Sequence, residues 1–142
     1  MRLIFKIKKI KPAALIPMPK LHQKEIIRLD ADEVALLLDE VEDGDKLTKS
    51  QKRFHDKTKV RDTALLTLLL GTGIRVSECV GLDIEDVDFR ENRIRIIRKG
   101  GKEEYVYFGE EVRNALKNYI EITRENIQPV AGHEHALFYS IQ

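Results

Sequence analysis

The sequence predicts an α+β fold that is mainly helical and carries a three-stranded antiparallel sheet. An apolar run at residues 64–70 is dense enough for a buried helix. After residue 86 the apolar residues recur at every second position, which is typical of strands. From residue 110 the helical period returns, so helices precede and follow the sheet in the chain.

Residues 1–29 have the composition of a basic, proline-containing linker or arm. Three prolines interrupt regular structure there, and the apolar residues alternate only over positions 3–7, which fits a short edge strand. Residues 30–142 then read as one domain. Its first helix begins at Asp30, which with Glu33 has the spacing of a capping box, and ends near Gly44.

Three further helices are predicted before the sheet. A second capping pattern, Thr48 to Gln51, starts a short polar helix that reaches about residue 56. A separate buried helix covers 58–70 and stops at the glycines of the turn that follows. A short helix then covers about 75–81, and Thr72 or Ser77 are the candidates for its cap.

The sheet is predicted as strands at residues 87–89, 93–98 and 103–108. Ile94 and Ile96 share one face of the second strand, and Arg93 and Arg95 share the other. Residues 99–102 form the hairpin tip, where paired glycines supply positive φ. An amphipathic helix over about 110–126 and a short apolar element at 137–139 complete the domain.

Composition excludes several classes of protein. The chain has 142 residues, 42% of them hydrophobic and 35% charged, and no apolar run approaches the roughly 20 residues of a membrane span. The single cysteine, Cys79, excludes an internal disulfide and fits a reducing cytoplasm. We therefore expect a cytoplasmic protein with no membrane partner.

The net charge of +1 hides blocks of opposite sign. Residues 1–24 hold seven Lys or Arg and no acid, residues 25–45 hold nine acids and one arginine, and residues 46–61 hold seven cations and one acid. Local fields of this kind matter more to a polyanionic partner than the total charge does. The alternative is that each block is an ordinary solvated face.

Two features are candidate sites. Arg75 follows the buried helix on a glycine-rich turn, and a guanidinium held there suits an oxyanion because its donors form a planar fork. Lys99 and Lys102 flank a two-glycine hairpin tip that could hold an ammonium beside a phosphate. Their ordinary alternatives are a salt bridge from Arg75 to Glu78 and a solvated turn.

The remaining motifs are weaker evidence for a functional site. His133-Glu134-His135 would need a third ligand to hold a metal. The sequence Gly71-Thr72-Gly73 lacks the Lys-Ser/Thr of a nucleotide-binding loop. Cys79 has apolar neighbours and is predicted to be a small buried residue. We expect neither a metal nor a cofactor.

Taken together, the two candidate sites resemble the phage-integrase family of tyrosine recombinases. The resemblance rests on Thr72-Gly73-Ile74-Arg75-Val76-Ser77-Glu78, Gly81-Leu82, Asp86-Val87-Asp88 and Arg98-Lys99-Gly100-Gly101-Lys102, and it runs from about residue 20 to residue 142. It implies a catalytic-domain fold, double-stranded DNA as partner, and strand breakage and rejoining through a phosphotyrosine. Full-length members form tetramers on DNA.

The resemblance also implies roles for individual residues. Arg75 would bind the non-bridging oxygens of the scissile phosphate, Glu78 would support that site, and Lys99 would be the general acid toward the leaving 5′ oxygen, with Lys102 as the other candidate. Fixed cations stabilise the charge that a phosphodiester gains under attack, and an ammonium can protonate a poor leaving group. Arg93, Arg95, Arg98 and Lys102 are the predicted DNA contacts.

Two departures from the family pattern qualify the expectation. Arg98 and Glu103 stand where the family usually has Gly before the first hairpin lysine and Arg after the second. The family's His-x-x-Arg motif, its later His or Trp and its tyrosine lie beyond the position where this sequence stops. Tyr139 lies in a segment that resembles the one before His-x-x-Arg, so we do not expect it to be the nucleophile.

We therefore expect residues 30–142 to be a truncated catalytic domain, inactive alone, with residues 1–29 as the linker before it. The rival interpretations are a noncatalytic DNA-binding module and a nonfunctional remnant. In a remnant, the missing helices would leave apolar surface exposed, which would favour dimerisation or swapping.

Overall fold

The computed structural model describes residues 28–140, and the α+β prediction is confirmed. The predicted linker and edge strand lie almost entirely outside these residues. Four helices and one antiparallel sheet of order β1-β2-β3 make up the described domain. In chain order they are α1 Ala31–Asp43, α2 Lys49–Thr72, α3 Val76–Val80, β1 Val87–Asp88, β2 Arg93–Arg98, β3 Lys102–Tyr107 and α4 Glu110–Ile122.

The first helix begins and ends where the sequence predicts. The Asp30 side chain accepts from the Glu33 N–H, and the Glu33 side chain accepts from the Asp30 N–H, each at 2.9 Å. The helix ends at Gly44, whose φ of 62° is left-handed. Reciprocal capping satisfies two N–H groups that a helix start otherwise leaves unpaired.

The prediction of two helices between residues 48 and 70 is wrong. Lys49–Thr72 is one helix of 24 residues, capped by Thr48 and Gln51 as predicted. The apolar pattern stops being continuous near Asp56, but no proline or glycine stands between residues 49 and 70. A loss of apolar residues removes packing and leaves the backbone hydrogen bonds intact, so the helix continues through it.

The core lies between α2, α4 and one face of the sheet. Ala64 and Leu68 of α2 are fully buried, as are Ile94 of β2 and Leu116 of α4. At Gly71 the two helices approach closely: a Cβ there would lie 2.6 Å from Cγ2 of Val112. This approach anchors the end of α2 that leads into the candidate arginine turn.

The strands form the predicted hairpin with a one-residue difference at its end. Arg98 pairs with Lys102, so Lys102 is the first residue of β3 and does not belong to the tip. Gly100 and Gly101 have φ of 91° and 76°, which L side chains rarely adopt. The α4 helix is shorter than predicted, because Arg124–Asn126 is a 3-10 turn.

The last described segment is held against the core. Leu137 is fully buried, and its N–H donates to the Leu82 carbonyl at 2.8 Å. Tyr139 donates its N–H to the Tyr119 hydroxyl at 3.0 Å. Within residues 28–140, no helix has both the length and the apolar character needed to cross a bilayer.

Candidate functional site

The arginine turn is fixed on both sides of Gly73. Gly73 has a φ of 67°, and its N–H donates to the Leu69 carbonyl at 2.9 Å, which ends α2. The predicted caps of α3 do not cap it: the Thr72 hydroxyl instead donates back to the Leu68 carbonyl at 2.5 Å. Arg75 occupies the cap position, and α3 begins at Val76.

Glu78 is the residue that organises this turn. Its side chain is only 6% exposed and accepts from the Arg75 N–H at 2.8 Å and from Nη1 of Arg75 at 3.1 Å. Nη1 of Arg98 lies 3.7 Å away, so the carboxylate contacts two arginines. The Arg75 N–H, and secondarily the two guanidinium groups, hold the pKa of Glu78 below its ordinary value. Glu78 is therefore a carboxylate at neutral pH.

Arg75 remains open to solvent on its other side. Its side chain is 67% exposed, although the salt bridge to Glu78 that was its ordinary alternative is present. Only Nη1 is used in that pair, and within residues 28–140 its other guanidinium nitrogens have no hydrogen-bond partner. A fixed guanidinium with free donors can bind oxygens of an approaching anion.

A chain of alternating charges joins the turn to the hairpin. Nε of Arg98 donates to Oε2 of Glu104 at 2.5 Å, and Nζ of Lys102 lies 3.4 Å from Oε1 of the same carboxylate. The order is thus Lys102, Glu104, Arg98, Glu78, Arg75. Because Arg98 contacts both acids, the root of the hairpin and the arginine turn are held in one cluster.

Lys99 is placed differently from Lys102. It is exposed at the hairpin tip, directly before the two glycines. Among the described residues it has no ion pair or hydrogen bond, whereas Lys102 contacts Glu104. The unpaired ammonium of the hairpin is therefore that of Lys99.

The outer face of the sheet holds the other two predicted DNA contacts, and both are in ion pairs. Arg93 donates to Asp88 at 3.2 Å, and its guanidinium carbon lies 4.4 Å from the centre of the Tyr105 ring. Nη2 of Arg95 is 2.6 Å from Asp86, and its Nη1 is 3.0 Å from Glu103. The sequence predicted these arginines as DNA contacts from their shared strand face, and it gave no sign of the acids that the fold places beside them.

The structure accounts for two further candidates from the sequence, His135 and Cys79. Nδ1 of His135 lies 2.6 Å from Oε1 of Glu85, and no group of three potential metal ligands occurs within the described residues. Cys79 is buried as predicted, and burial raises the pKa of its thiol to about 11. A thiol of that pKa is inert at neutral pH.

All four tyrosines of the sequence lie within the described residues. Tyr119 is fully buried, and burial raises the pKa of its phenol. The Tyr139 hydroxyl donates to the Glu134 carbonyl at 2.6 Å. The other two, Tyr105 and Tyr107, are exposed on the outer face of β3. Among residues 28–140, no carboxylate or imidazole is hydrogen-bonded to any of these hydroxyls, as the activation of a nucleophile would require.

Comparisons with known proteins identify the family. The model of the phage integrase family matches residues 27–141. The tyrosine recombinase XerD of Yersinia pestis is 38% identical over 116 residues, which is 82% of this chain and 35% of that protein. XerC of Vibrio cholerae is 35% identical over 129 residues, 91% of this chain and 37% of that protein.

Solved structures agree with these relatives. The crystal structure of XerA recombinase aligns with a TM-score of 0.62 and 28% identity, covering 82% of this chain and 36% of that one. XerH bound to its palindromic difH substrate aligns with a TM-score of 0.58 and 25% identity, covering 80% of this chain and 29% of that one. The chain spans about a third of the length of these relatives. It belongs to the phage integrase family.

Proposed function

We propose that these residues supply the phosphate-binding and leaving-group half of a site that breaks and rejoins DNA through a phosphotyrosine. The observation that carries the proposal is the position of Glu78 between Arg75 and Arg98, at 3.1 and 3.7 Å. It brings the arginine turn and the root of the lysine hairpin into one cluster. Membership of the phage integrase family, and a relative solved on its DNA substrate, support the same assignment.

Arg75 is proposed to hold the scissile phosphate. One side of its guanidinium is fixed by a nearly buried carboxylate, and the other side is free. The free donors stabilise charge on the non-bridging oxygens, which increases as the nucleophile attacks. Glu78 is a positioning residue in this scheme: it fixes the backbone and the side chain of Arg75 and does not contact DNA.

Lys99 is proposed to protonate the leaving 5′ oxygen. Its ammonium has no counterion among the described residues, whereas Lys102 is 3.4 Å from Glu104. An acid must give its proton to the substrate, and an ammonium already held by a carboxylate is a poorer donor to another oxygen. The pairing therefore supports Lys99 over Lys102 as the general acid.

The nucleophile is proposed to come from outside residues 1–142. The buried Tyr119 and Tyr139 are engaged with the backbone, and the exposed Tyr105 and Tyr107 stand on the sheet face. No histidine in this sequence is followed three positions later by arginine. On this proposal the 142-residue polypeptide binds DNA and does not cut it.

A strand-cleavage assay tests whether the nucleophile comes from outside residues 1–142. The 142-residue chain, incubated with a nicked suicide duplex for the cognate site, should form no covalent protein–DNA adduct. An adduct that mapped to Tyr139 would contradict the proposal.

A second assay tests the assigned cations. Lys99→Gln should make the slope of log K against log salt shallower by roughly 0.9, the value for one phosphate contact. Arg75→Gln should change it by up to the same amount, since Nη1 is paired with Glu78 and the other guanidinium donors are free among the described residues. Lys102→Gln should reduce it by less, because Glu104 already neutralises part of that charge. Equal effects of Lys99→Gln and Lys102→Gln would remove the distinction between the two lysines.

Association with further protomers is a second part of the proposal. An apolar groove beside α3 supports it, since Val80 and Val130 are exposed there at 63% and 71%. Sedimentation of the chain should show concentration-dependent self-association, and a clean monomer at high concentration would contradict it. The cytoplasmic location predicted from the sequence is part of the same proposal.

A further inference from the structure

The first half of α2 carries a second group of cations that the proposed site does not use. Lys49, Lys52, Arg53 and Lys57 are exposed, and Asp56 is the only acid among residues 49–57. None of the ion pairs formed within residues 28–140 includes any of the four lysine and arginine side chains. This differs from the sheet, where Arg93 and Arg95 are both neutralised by acids. We call residues 49–57 the α2 overhang.

The overhang continues the packing face of α2 beyond the core. Lys57 and Arg53 lie about two and about three helical turns before Ala64, so they share its side of the helix. Ala64 is fully buried because α4 covers α2 there. The two helices run antiparallel, since Gly71 lies beside Val112 at the start of α4, and the earlier Val60 lines a hollow with Asn118, further along α4. α4 therefore ends before it can cover the overhang.

No described element outside α2 closes the surface beside these cations. The hollow next to Arg53 and Lys57 is lined by α2 residues alone, with Ser50 and Phe54 as the others, and Phe54 is 68% exposed. Residues 1–24 carry seven cations and no acid, so like charge disfavours them as its cover. A row of uncompensated cations matches a polyanion.

We propose that the α2 overhang is a second DNA-backbone surface, which binds phosphates of the duplex away from the point of cleavage. This inference rests on the proposed function, because DNA is the polyanion that Arg75 and Lys99 would hold. One continuous helix joins the two surfaces: 24 residues at 1.5 Å each span about 36 Å, close to one turn of B-form DNA. Lysines at such a surface position the duplex without reading its sequence.

The test measures the salt dependence of duplex binding for the whole 142-residue chain by fluorescence anisotropy. Lys49→Gln, Lys52→Gln, Arg53→Gln and Lys57→Gln are combined in one variant, since glutamine keeps the helix propensity of lysine. The slope of log K against log salt should become shallower by about three to four units, at roughly 0.9 per phosphate. An unchanged slope would overturn the inference.

A charge-matched control separates a local surface from net charge. Arg53→Gln with Lys57→Gln should reduce the slope by about two units. Arg90→Gln with Lys117→Gln removes the same charge elsewhere and should leave the slope unchanged. Equal losses in both pairs would overturn the inference, because they would show a general charge effect. Circular dichroism of each variant checks that α2 is intact.

The same measurements distinguish the two proposals. If the Arg75 and Lys99 variants weaken binding and the overhang variant does not, the proposed function stands and this inference fails. If only the overhang variant weakens binding, the surface stands and the proposed roles of Arg75 and Lys99 fail. Tighter binding to poly-glutamate than to duplex DNA would also overturn the inference, because it would indicate an acidic protein partner.

Discussion

The two halves of α2 are one helix with opposite surroundings. From Val60 onward it packs on α4 and the core, and Ala64 and Leu68 are fully buried. From Lys49 to Lys57 it carries exposed cations. Helix continuity and burial are therefore separate properties: caps and an unbroken backbone make the helix, and packing decides only which part of it is stabilised by the core.

The largest expected effect tests the packed half. Leu68→Ala should lower the free energy of unfolding by about 2–5 kcal/mol, because it removes a fully buried side chain and leaves a cavity. Phe54→Ala in the overhang should change it by about 0.5 kcal/mol or less, since Phe54 is 68% exposed. Urea denaturation measures both. Similar costs would show that the overhang is packed in solution.

A smaller loss of unfolding free energy is expected for a substitution where α2 and α4 cross. Gly71→Ala places a Cβ 2.6 Å from Cγ2 of Val112, a β-branched side chain with little freedom to move. Overpacking lowers the free energy of unfolding by about 1–3 kcal/mol, and the better helix propensity of alanine offsets about 1 kcal/mol of that loss. We expect net destabilisation in urea denaturation. Combining Gly71→Ala with Val112→Ala should cost less than the sum of the two single changes, and strict additivity would mean that the crossing has room.

His55 tests the contrast between the two halves of α2, because it lies in the overhang and contacts Val41 of α1. Its Nε2 lies 2.6 Å from the Val41 carbonyl, and its side chain is 11% exposed. A carbonyl only accepts, so Nε2 carries the proton. His55→Ala should cost about 1–2 kcal/mol of unfolding free energy by leaving that carbonyl unpaired. Lys52→Ala, one turn earlier and exposed, is the control, and an equal cost for both would contradict this assignment.

The smallest effect on stability concerns Glu78 of α3, which follows the C-terminal end of α2. The pKa of Glu78 is lower in the folded chain than its ordinary value of 4.5, so its ionisation stabilises the fold above that pH. The contribution is lost as pH falls through the folded pKa. Glu78→Gln should therefore be less stable than the unchanged chain at pH 7, and the difference in urea midpoint should shrink toward pH 3. A difference that does not vary with pH would contradict the charged role.

Local signals in the sequence were enough for most of the elements. The capping boxes at Asp30 and Thr48, the αL glycine at Gly44 and the hairpin glycines act within a few residues, so their effects can be predicted from spacing. The family was also evident from short motifs. The predicted helix break near Asp56 was wrong. The apolar pattern indicates burial, and it had been taken to indicate where the helix ends.

The electrostatics of the site could be predicted only in part. The pairing of Arg75 with Glu78 is three residues apart and was anticipated as the ordinary alternative. The contacts of Arg95 with Asp86 and Glu103 depend on how the turn before β1 and the strand β3 meet β2. Arg98 contacts Glu78 across 20 positions of sequence, a distance that no local pattern reports. Charge in a sequence thus indicates which residues are cations, and the fold decides which of them remain available.

The two ends of the unbroken α2 lie at unequal distances from its packed part. If it tilts about the packed Leu68, Lys49 lies about 28 Å from that pivot and Gly73 about 7 Å, at 1.5 Å per residue. A displacement at Lys49 is therefore reduced about fourfold at the arginine turn. If a duplex bound at the overhang, as proposed, displaced Lys49 by about 4 Å in a rigid-body tilt of α2, the arginine turn would move by only about 1 Å. The shorter distance would then preserve the alignment of Arg75 with a phosphate.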